Sequence, residues 1–322
     1  MMAIAVQALT GLQYLSLLVT AGLLLCRVTV ARGRDAAQAL GSVAAVRRTR
    51  VLASAAALTS VALMVAAAID VAGWSRWTAG IIPQQLAAAV LVGTGSLIVV
   101  VAGGARRPVP TLAGALLGLL GPALTGHSVS VGPRPLMLVV DVGHLLAGAF
   151  WTGGLIGTVA VIAALRSDGT AEEAVVVIRR FSSAALVSVL VLAVSGGLMT
   201  VLILDAPAAL VTTGWGRALL LKLSVVGVAV GLAAWNRTRL LPAIATADAP
   251  WERLLRIMRR EAVLLLGVLV VTGVLVNLSP HESPPGGALG NGQSPVGAQE
   301  TMPIAASGVG GPGEPGAPRM AP

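Results

Sequence analysis

Residues Pro122–Leu155 read PALTGHSVSVGPRPLMLVVDVGHLLAGAFWTGGL, and they contain two of the three histidines of the chain, His127 and His144. A Gly-Pro-Arg-Pro turn at residues 132–135 divides this stretch, because both Gly and Pro interrupt helices and Pro lacks an amide donor. The apolar runs on either side of the turn predict two antiparallel helices. The two histidines are then about 6 Å apart along the hairpin axis, at 1.5 Å of rise per residue.

The composition of the whole chain is that of a helical membrane protein. Hydrophobic residues make up 56% of its 322 residues and charged residues only 11%, with a mean hydropathy of +0.89. Soluble domains typically contain about 25% charged residues. A backbone inside lipid must satisfy its own amide groups, which favours helices. We therefore predict an all-α, polytopic membrane bundle.

Apolar segments of about 20 residues, the length that crosses a bilayer, recur along the chain. Eight transmembrane helices are predicted, at about residues 3–26, 51–71, 84–101, 111–131, 136–165, 181–204, 216–235 and 261–278. Arginines concentrate in alternate loops, which the positive-inside rule places in the cytoplasm. The N-terminus and the C-terminus are then both outside. Residues 1–278 form the predicted transmembrane bundle, and the Gly- and Pro-rich residues 279–322 form a predicted disordered extracytoplasmic tail.

The net charge of +9 and the pI near 11.5 do not indicate a nucleic-acid partner. The arginines lie in short loops between apolar segments, as orientation signals do. Aromatic residues make up only 3% of the chain, so it has few side chains on which bases stack. We expect this protein to lie in the lipid bilayer and not to bind nucleic acid.

Asp141 and His144 are spaced i, i+3 and share a helix face within an apolar run. A carboxylate inside lipid is costly, and such residues usually mark ion or proton pathways. Asp141 either orients His144 or binds a cation directly; the alternative is a polar contact that only fixes helix packing. Lys222 lies at a comparable depth, so it either pairs with Asp141 or extends to the outer surface.

Further candidate metal ligands lie near the same end of the predicted bundle. Met137 and Met199 carry soft thioethers that suit Cu(I), although most methionines in apolar helices serve packing. His281 directly follows the last predicted span on the same side as His127, where it is either a ligand or simply solvated. The candidate metal residues are His127, Asp141, His144, Met137, Met199 and His281, with Lys222 as their charge partner.

Small-residue pairs at Gly153-Gly154 and Gly196-Gly197 predict close helix approach. They are not phosphate-binding loops, because they lack a strand-turn-helix context. Nucleophile triads, paired catalytic carboxylates and zinc-protease motifs are absent from the sequence. We therefore expect a protein that is not an enzyme.

An ordered series of short motifs resembles the copper-resistance protein D (CopD) family of bacterial inner-membrane proteins. The pattern HLLAxxxWxGG of that family is matched by His144–Ala147 and Trp151–Gly154. The resemblance covers residues 110–282 and continues in Gly126-His127, Arg179–Ser182, Thr213–Arg217 with Lys222, Asn236-Arg237, Leu241-Pro242 and Leu278–Pro280.

The resemblance implies copper transport and copper homeostasis at the bacterial cell (inner) membrane, with copper moved through the His/Asp/Met site. It also implies a separate periplasmic copper chaperone as a partner, because this chain carries no such domain. Two alternatives remain open at this stage. The two histidines would suit the axial positions of haem in a membrane b-type cytochrome, or the chain is an assembly scaffold for a copper enzyme.

Overall fold

A computed structural model of the chain describes residues 2–103, 107–125, 133–204, 206–243 and 251–278. Every regular element within these ranges is helical and none is a strand, which confirms the predicted all-α class. The longer helices are α1 Met2–Thr29, α2 Arg34–Gly41, α3 Val43–Ala72, α4 Pro83–Val101, α5 Pro108–Ala123, α6 Arg134–Ser167, α7 Ala171–Ile203, α8 Gly214–Trp235 and α9 Trp251–Leu275. Short helical turns occupy Trp74–Gly80, Ala209–Thr212, Asn236–Leu240 and Leu241–Ala243.

Local sequence explains where several of these helices begin and end. The Ser42 hydroxyl accepts a hydrogen bond from the backbone N–H of Ala45 at 3.3 Å and caps α3. Pro83 occupies the first turn of α4, where its missing N–H leaves no bond unmade. Gly73 and Gly169, which follow α3 and α6, have φ angles of 74° and 78°, and glycine adopts this region without steric cost.

Six helical segments in the described ranges are long and apolar enough to cross a membrane, so the chain is a helical membrane protein. They are α1, α3, α4, α6, α7 and residues Gly214–Ala243, which include α8. Helices α5 and α9 lie at the other two predicted spans. However, α5 has only 16 residues, and the first half of α9 is rich in charge. The count of eight spans and the sides of the termini stay predictions.

Several helices in the described residues have bounds that differ from those of the predicted membrane spans. The span predicted at residues 111–131 has a helix that ends at Ala123. The spans predicted to start at residues 181 and 261 belong to helices that start earlier, at Ala171 and Trp251. Hydropathy marks where lipid begins, whereas a helix continues for as long as its own packing supports it. In α9 the early turns are held by buried residues that include Leu254 and Met258.

Helices α1 and α6 form the centre of the bundle. They cross at Gly22 and Gly153, where a β-carbon on Gly22 would overlap the backbone of Ala149. This confirms the close approach predicted for Gly153, because small residues let helix backbones touch. Around this crossing, α1 also packs against α3, α5 and α9. The two central helices therefore connect the N-terminal helices to the part of the chain that contains His144.

Helices α7 and α8 lie at the periphery and present apolar surface outward. Only 17% and 11% of their apolar windows are buried, against 72% in α6. Exposed side chains such as Val187, Val194 and Val228 belong to this surface. In a membrane protein such a surface faces the lipid chains. Residues 279–322, for which the sequence predicts a disordered tail, lie outside the described residues.

Candidate functional site

His144 lies in the third turn of α6 and faces α7. Its Nδ1 atom is 2.9 Å from the Ser195 hydroxyl. The ring rests against Gly196, where a β-carbon would lie 3.3 Å from His144 Cε1. The neighbouring Gly197 has open space at the same position. Gly196 thus provides the room that the imidazole occupies, which gives this predicted small residue a specific contact.

The hydrogen bonds of Ser195 favour the His144 tautomer that carries its proton on Nδ1. The Ser195 hydroxyl donates to the carbonyl of Val191 at 2.6 Å, one turn earlier in α7. A serine has a single hydroxyl hydrogen, so its oxygen is left to accept a hydrogen bond from His144 Nδ1–H. The lone pair of the imidazole is then at Nε2. This arrangement is the one that orients a histidine for metal binding.

Asp141, one turn before His144, belongs to a charged group that joins three helices. Its carboxylate acts electrostatically on Lys222 of α8 and on the Tyr14 phenol of α1. Lys222 also acts on His144. The structure therefore brings together Asp141, His144 and Lys222, and it adds Ser195 and Tyr14. We refer to these five residues as the polar cluster.

The two candidate methionines share an apolar layer beside the polar cluster. Met137 is fully buried and lies two turns before His144 on α6. Met199 lies one turn beyond Ser195 on α7 and is partly buried against the same residues. The layer also contains Ile203, Trp215, Leu219 and Leu275. Both thioethers are thus on the Arg134 side of the imidazole, about 6 to 10 Å away along their helices.

Two of the predicted ligands, His127 and His281, lie outside the described residues. Within the described ranges, no group of three His, Cys, Asp or Glu side chains is placed to hold a metal ion. The described part of the proposed site is therefore one oriented imidazole with a nearby carboxylate. This set of protein groups suits a metal ion that binds transiently better than one in a closed structural site, which usually has four protein ligands.

A polar cavity of about 490 Å³ opens between α1, α3, α4, α5 and α9 at the end of the bundle where α6 begins. Its lining includes Gln7, Gln13, Asp70, Gln85 and Asn277. Tyr14 also lines this cavity and is the residue on which Asp141 acts electrostatically. The cavity thus extends from the end of the bundle to Tyr14, one of the five residues of the polar cluster.

Sequence reasoning missed Ser195 and Tyr14. A serine in an apolar helix usually bonds to its own backbone, and Ser195 does so as well. The only available signal was its place directly before Gly196-Gly197, a small-residue pair that admits a partner side chain. Tyr14, the single tyrosine of the chain, carried no comparable signal, because its link to Asp141 depends on how α1 packs against α6.

Comparisons with known proteins point to copper. Residues 175–275 match the family model described as CopD, Copper resistance protein D. The Copper transport protein CutJ of Bacillus subtilis (strain 168) is 29% identical over 182 residues, which are 55% of this chain and 32% of the relative. The Inner membrane protein YebZ of Escherichia coli (strain K12) is 31% identical over 140 residues, 42% of this chain and 47% of the relative.

The chain thus spans about a third and about half of the lengths of these two relatives. No solved structure matches it. The match to the family model includes Ser195, Met199 and Lys222, whereas Asp141 and His144 precede it. The family resemblance inferred from the sequence is confirmed.

Proposed function

We propose that this chain, whose residues 175–275 match the CopD family model, binds copper inside the bilayer and moves it across the bacterial inner membrane. It is a transporter and not an enzyme, with eight spans and both termini outside. Copper is the substrate of this activity. The proposal fits the relatives, one of which is described as a copper transport protein.

The orientation of His144 is the observation that carries the proposal. The Ser195 hydroxyl accepts a hydrogen bond from Nδ1–H of His144, so the Nε2 lone pair is the atom that can bind the metal. Imidazole and thioether ligands suit copper, whereas magnesium and calcium require oxygen ligands. We assign Met137 and Met199 as soft ligands before His144, and His127 and His281 as ligands that receive copper at the outer face.

Asp141 and Lys222 balance charge along the proposed path. An ionised carboxylate and an ammonium group in lipid lower each other's cost when they are close. When a copper ion occupies His144, it competes with Lys222 for Asp141. The ion is then held by a carboxylate that has an alternative partner, so it is released more readily than from a closed site. The polar cavity lined by Gln13 and Tyr14 is the water-accessible route to this point.

Copper flux into sealed proteoliposomes tests this function. Purified wild-type protein should move copper, His144→Ala should lose the flux, and Ser188→Ala should retain it. Ser188 is a matched control because it is a buried serine of α7 whose hydroxyl donates only to its own helix, at Ala184. A periplasmic copper chaperone, added outside, should raise the rate if it is the proposed partner.

Three outcomes contradict the proposal. Equal flux in wild type and His144→Ala would remove the polar cluster from the path. A Soret absorption band in the purified protein would indicate a b-type cytochrome instead. Absence of flux, together with co-purification of an oxidase, would indicate an assembly scaffold for a copper enzyme.

A further inference from the structure

A second buried polar group lies deeper in the bundle than the polar cluster. The Trp151 indole N–H donates to Glu261 Oε1 at 3.0 Å. Trp151 is on α6, two turns beyond His144 on the same face, which is about 10 Å further along the helix. Glu261 is on α9 and is only 3% exposed. The proposed copper path does not use this carboxyl group.

The amide of Asn236 completes this group. Asn236 follows α8 directly, is 9% exposed, and acts on the Glu261 carboxyl as a hydrogen-bonding neighbour. The contact with Glu261 is a loose one, because among the described residues neither polar atom of the Asn236 amide has a partner in strict hydrogen-bond geometry. Buried polar side chains are normally satisfied by protein or by water. A buried amide in loose contact with a carboxyl group therefore leaves room for a water molecule that bonds to both.

A cavity of about 180 Å³ provides the space for that water. Trp151, Asn236 and Glu261 line it, together with Ser182, Arg237 and Met258 and the apolar side chains of α7 and α8. A volume of this size exceeds that of a single water molecule, about 30 Å³ in the liquid. The cavity lies at the end of the bundle where α8 ends and the basic segment 236–260 begins, which the sequence places in the cytoplasm.

No cationic group neutralises Glu261 among the described residues that surround it. Arg237 is the only other charged residue of the cavity lining, and its guanidinium donates to the Ser182 carbonyl and hydroxyl, each at 2.9 Å. Arg259 and Arg260 precede Glu261 on α9 and are exposed. Helix α6 contributes the neutral Trp151. The carboxyl group is therefore surrounded by neutral donors.

We propose that Glu261 is a proton-binding site that opens to the cytoplasmic side through this cavity. Trp151 fixes Oε1, and the proton is exchanged at Oε2 with water in the cavity, so no other reactant is needed. Carboxyl groups inside membrane bundles commonly form proton relays. Its hydrogen bond to Trp151, which lies on the same face of α6 as His144, makes it the group through which proton movement couples to copper movement. The coupling, but not the proton site, rests on the proposed function.

Infrared difference spectroscopy of the protein in lipid nanodiscs tests the proton site without copper. Titration with acid protonates many carboxyl groups of the protein, so the informative signal is a carboxylic-acid carbonyl component that appears in the wild-type minus Glu261→Gln double-difference spectrum. Glu252→Gln is the matched control, because Glu252 is an exposed carboxylate of the same helix, bonded to Arg166 at 2.9 Å. Trp151→Phe should keep the band and shift its frequency, since Oε1 loses its donor.

A wild-type minus Glu261→Gln difference spectrum without a carboxylic-acid component at any pH would overturn the proton site. The Glu261→Asp variant keeps a titratable carboxyl group, so it should retain a band even if the glutamine variant fails to fold.

Flux measurements in proteoliposomes test the coupling. With one proton exchanged per copper ion, each unit of pH gradient is equivalent to about a tenfold ratio of copper concentrations. Wild type and Glu252→Gln should respond to the gradient, and Glu261→Gln should not. A response that survives in Glu261→Gln would overturn the coupling. If wild type moves no copper while the carbonyl band still titrates, the proposed function fails and the proton site stands.

Discussion

His144 acts through a contact that its own motif does not contain. The imidazole depends on Ser195, which lies 51 residues later in the chain and uses its only hydroxyl hydrogen within α7. A histidine in lipid that lacks such a partner is free to change tautomer and rotamer. The ligand atom is therefore set by two helices and not by the HLLA pattern alone.

Replacing Ser195 with Ala should weaken copper binding by about 10- to 100-fold, the usual effect of removing a partner that orients a metal-binding histidine. Competition with a chromophoric copper chelator measures this affinity. Ser188→Ala should leave it unchanged. If the two variants bind copper equally well, Ser195 does not orient His144.

Gly196→Ala should also weaken copper binding, because its methyl group would lie 3.3 Å from His144 Cε1 and displace the ring. Gly197→Ala is the matched control, since its methyl group would enter open space. We expect several-fold weaker binding in the first variant, with unchanged thermal unfolding in both. A Gly196→Ala protein with wild-type affinity would show that the ring position is not critical.

At the scale of elements, the polar cluster links α6 to α8, which has few other contacts with the bundle centre. Helix α8 packs mainly against α9, and the electrostatic interaction of Lys222 with Asp141 connects it to α6. Both side chains are partly buried in an apolar bundle, where an ionised group that loses its opposite partner is costly.

Asp141→Asn and Lys222→Met should therefore each lower the thermal stability of the purified protein, and the double variant should be more stable than either single variant. A double-mutant cycle on the free energy of unfolding should give a coupling of at least about 1 kcal/mol. Additive effects of the two substitutions would mean that the two side chains do not depend on each other.

The limits of sequence reasoning also appear at this scale. Hydropathy along the chain predicted helices where the structure has them. The small residue Gly153 predicted a close helix crossing, and in the structure α6 crosses α1 there, at Gly22. The Trp151–Glu261 bond was missed because Glu261 follows an arginine-rich segment and was placed at the membrane boundary. Its true depth depends on α9 starting at Trp251. Contacts between helices distant in sequence, such as His144–Ser195, are not encoded in any local pattern.

At the scale of the whole molecule, the predicted orientation places the α3–α4 connection outside and the α6–α7 connection in the cytoplasm. Arg76 and Ser167 are exposed residues of these two connections. The native Cys26 is fully buried and gives little background labelling. In intact cells a membrane-impermeant maleimide should therefore label Arg76→Cys, and it should label Ser167→Cys only after permeabilisation. The reverse pattern would invert the proposed direction of the copper path.

The two cavities of the described bundle lie at its two opposite ends, one on each predicted side of the membrane. Helices α1 and α6 hold the centre, the cavity lined by Gln13 and Tyr14 lies at one end, and the cavity lined by Asn236 and Glu261 lies at the other. The polar cluster is between them. This arrangement, with cavities at the two ends and ionisable groups between them, is the one on which the proposed copper path depends.

Copper content is the measurement that tests this account most directly. Wild type and His144→Ala, each in lipid nanodiscs, are incubated with copper, separated from free metal and analysed for metal per chain. We predict near-stoichiometric copper in wild type, loss of most of it in His144→Ala, and no Soret band in either. Equal copper in the two proteins, or haem absorbance that depends on His144, would contradict the assignment of this histidine to copper.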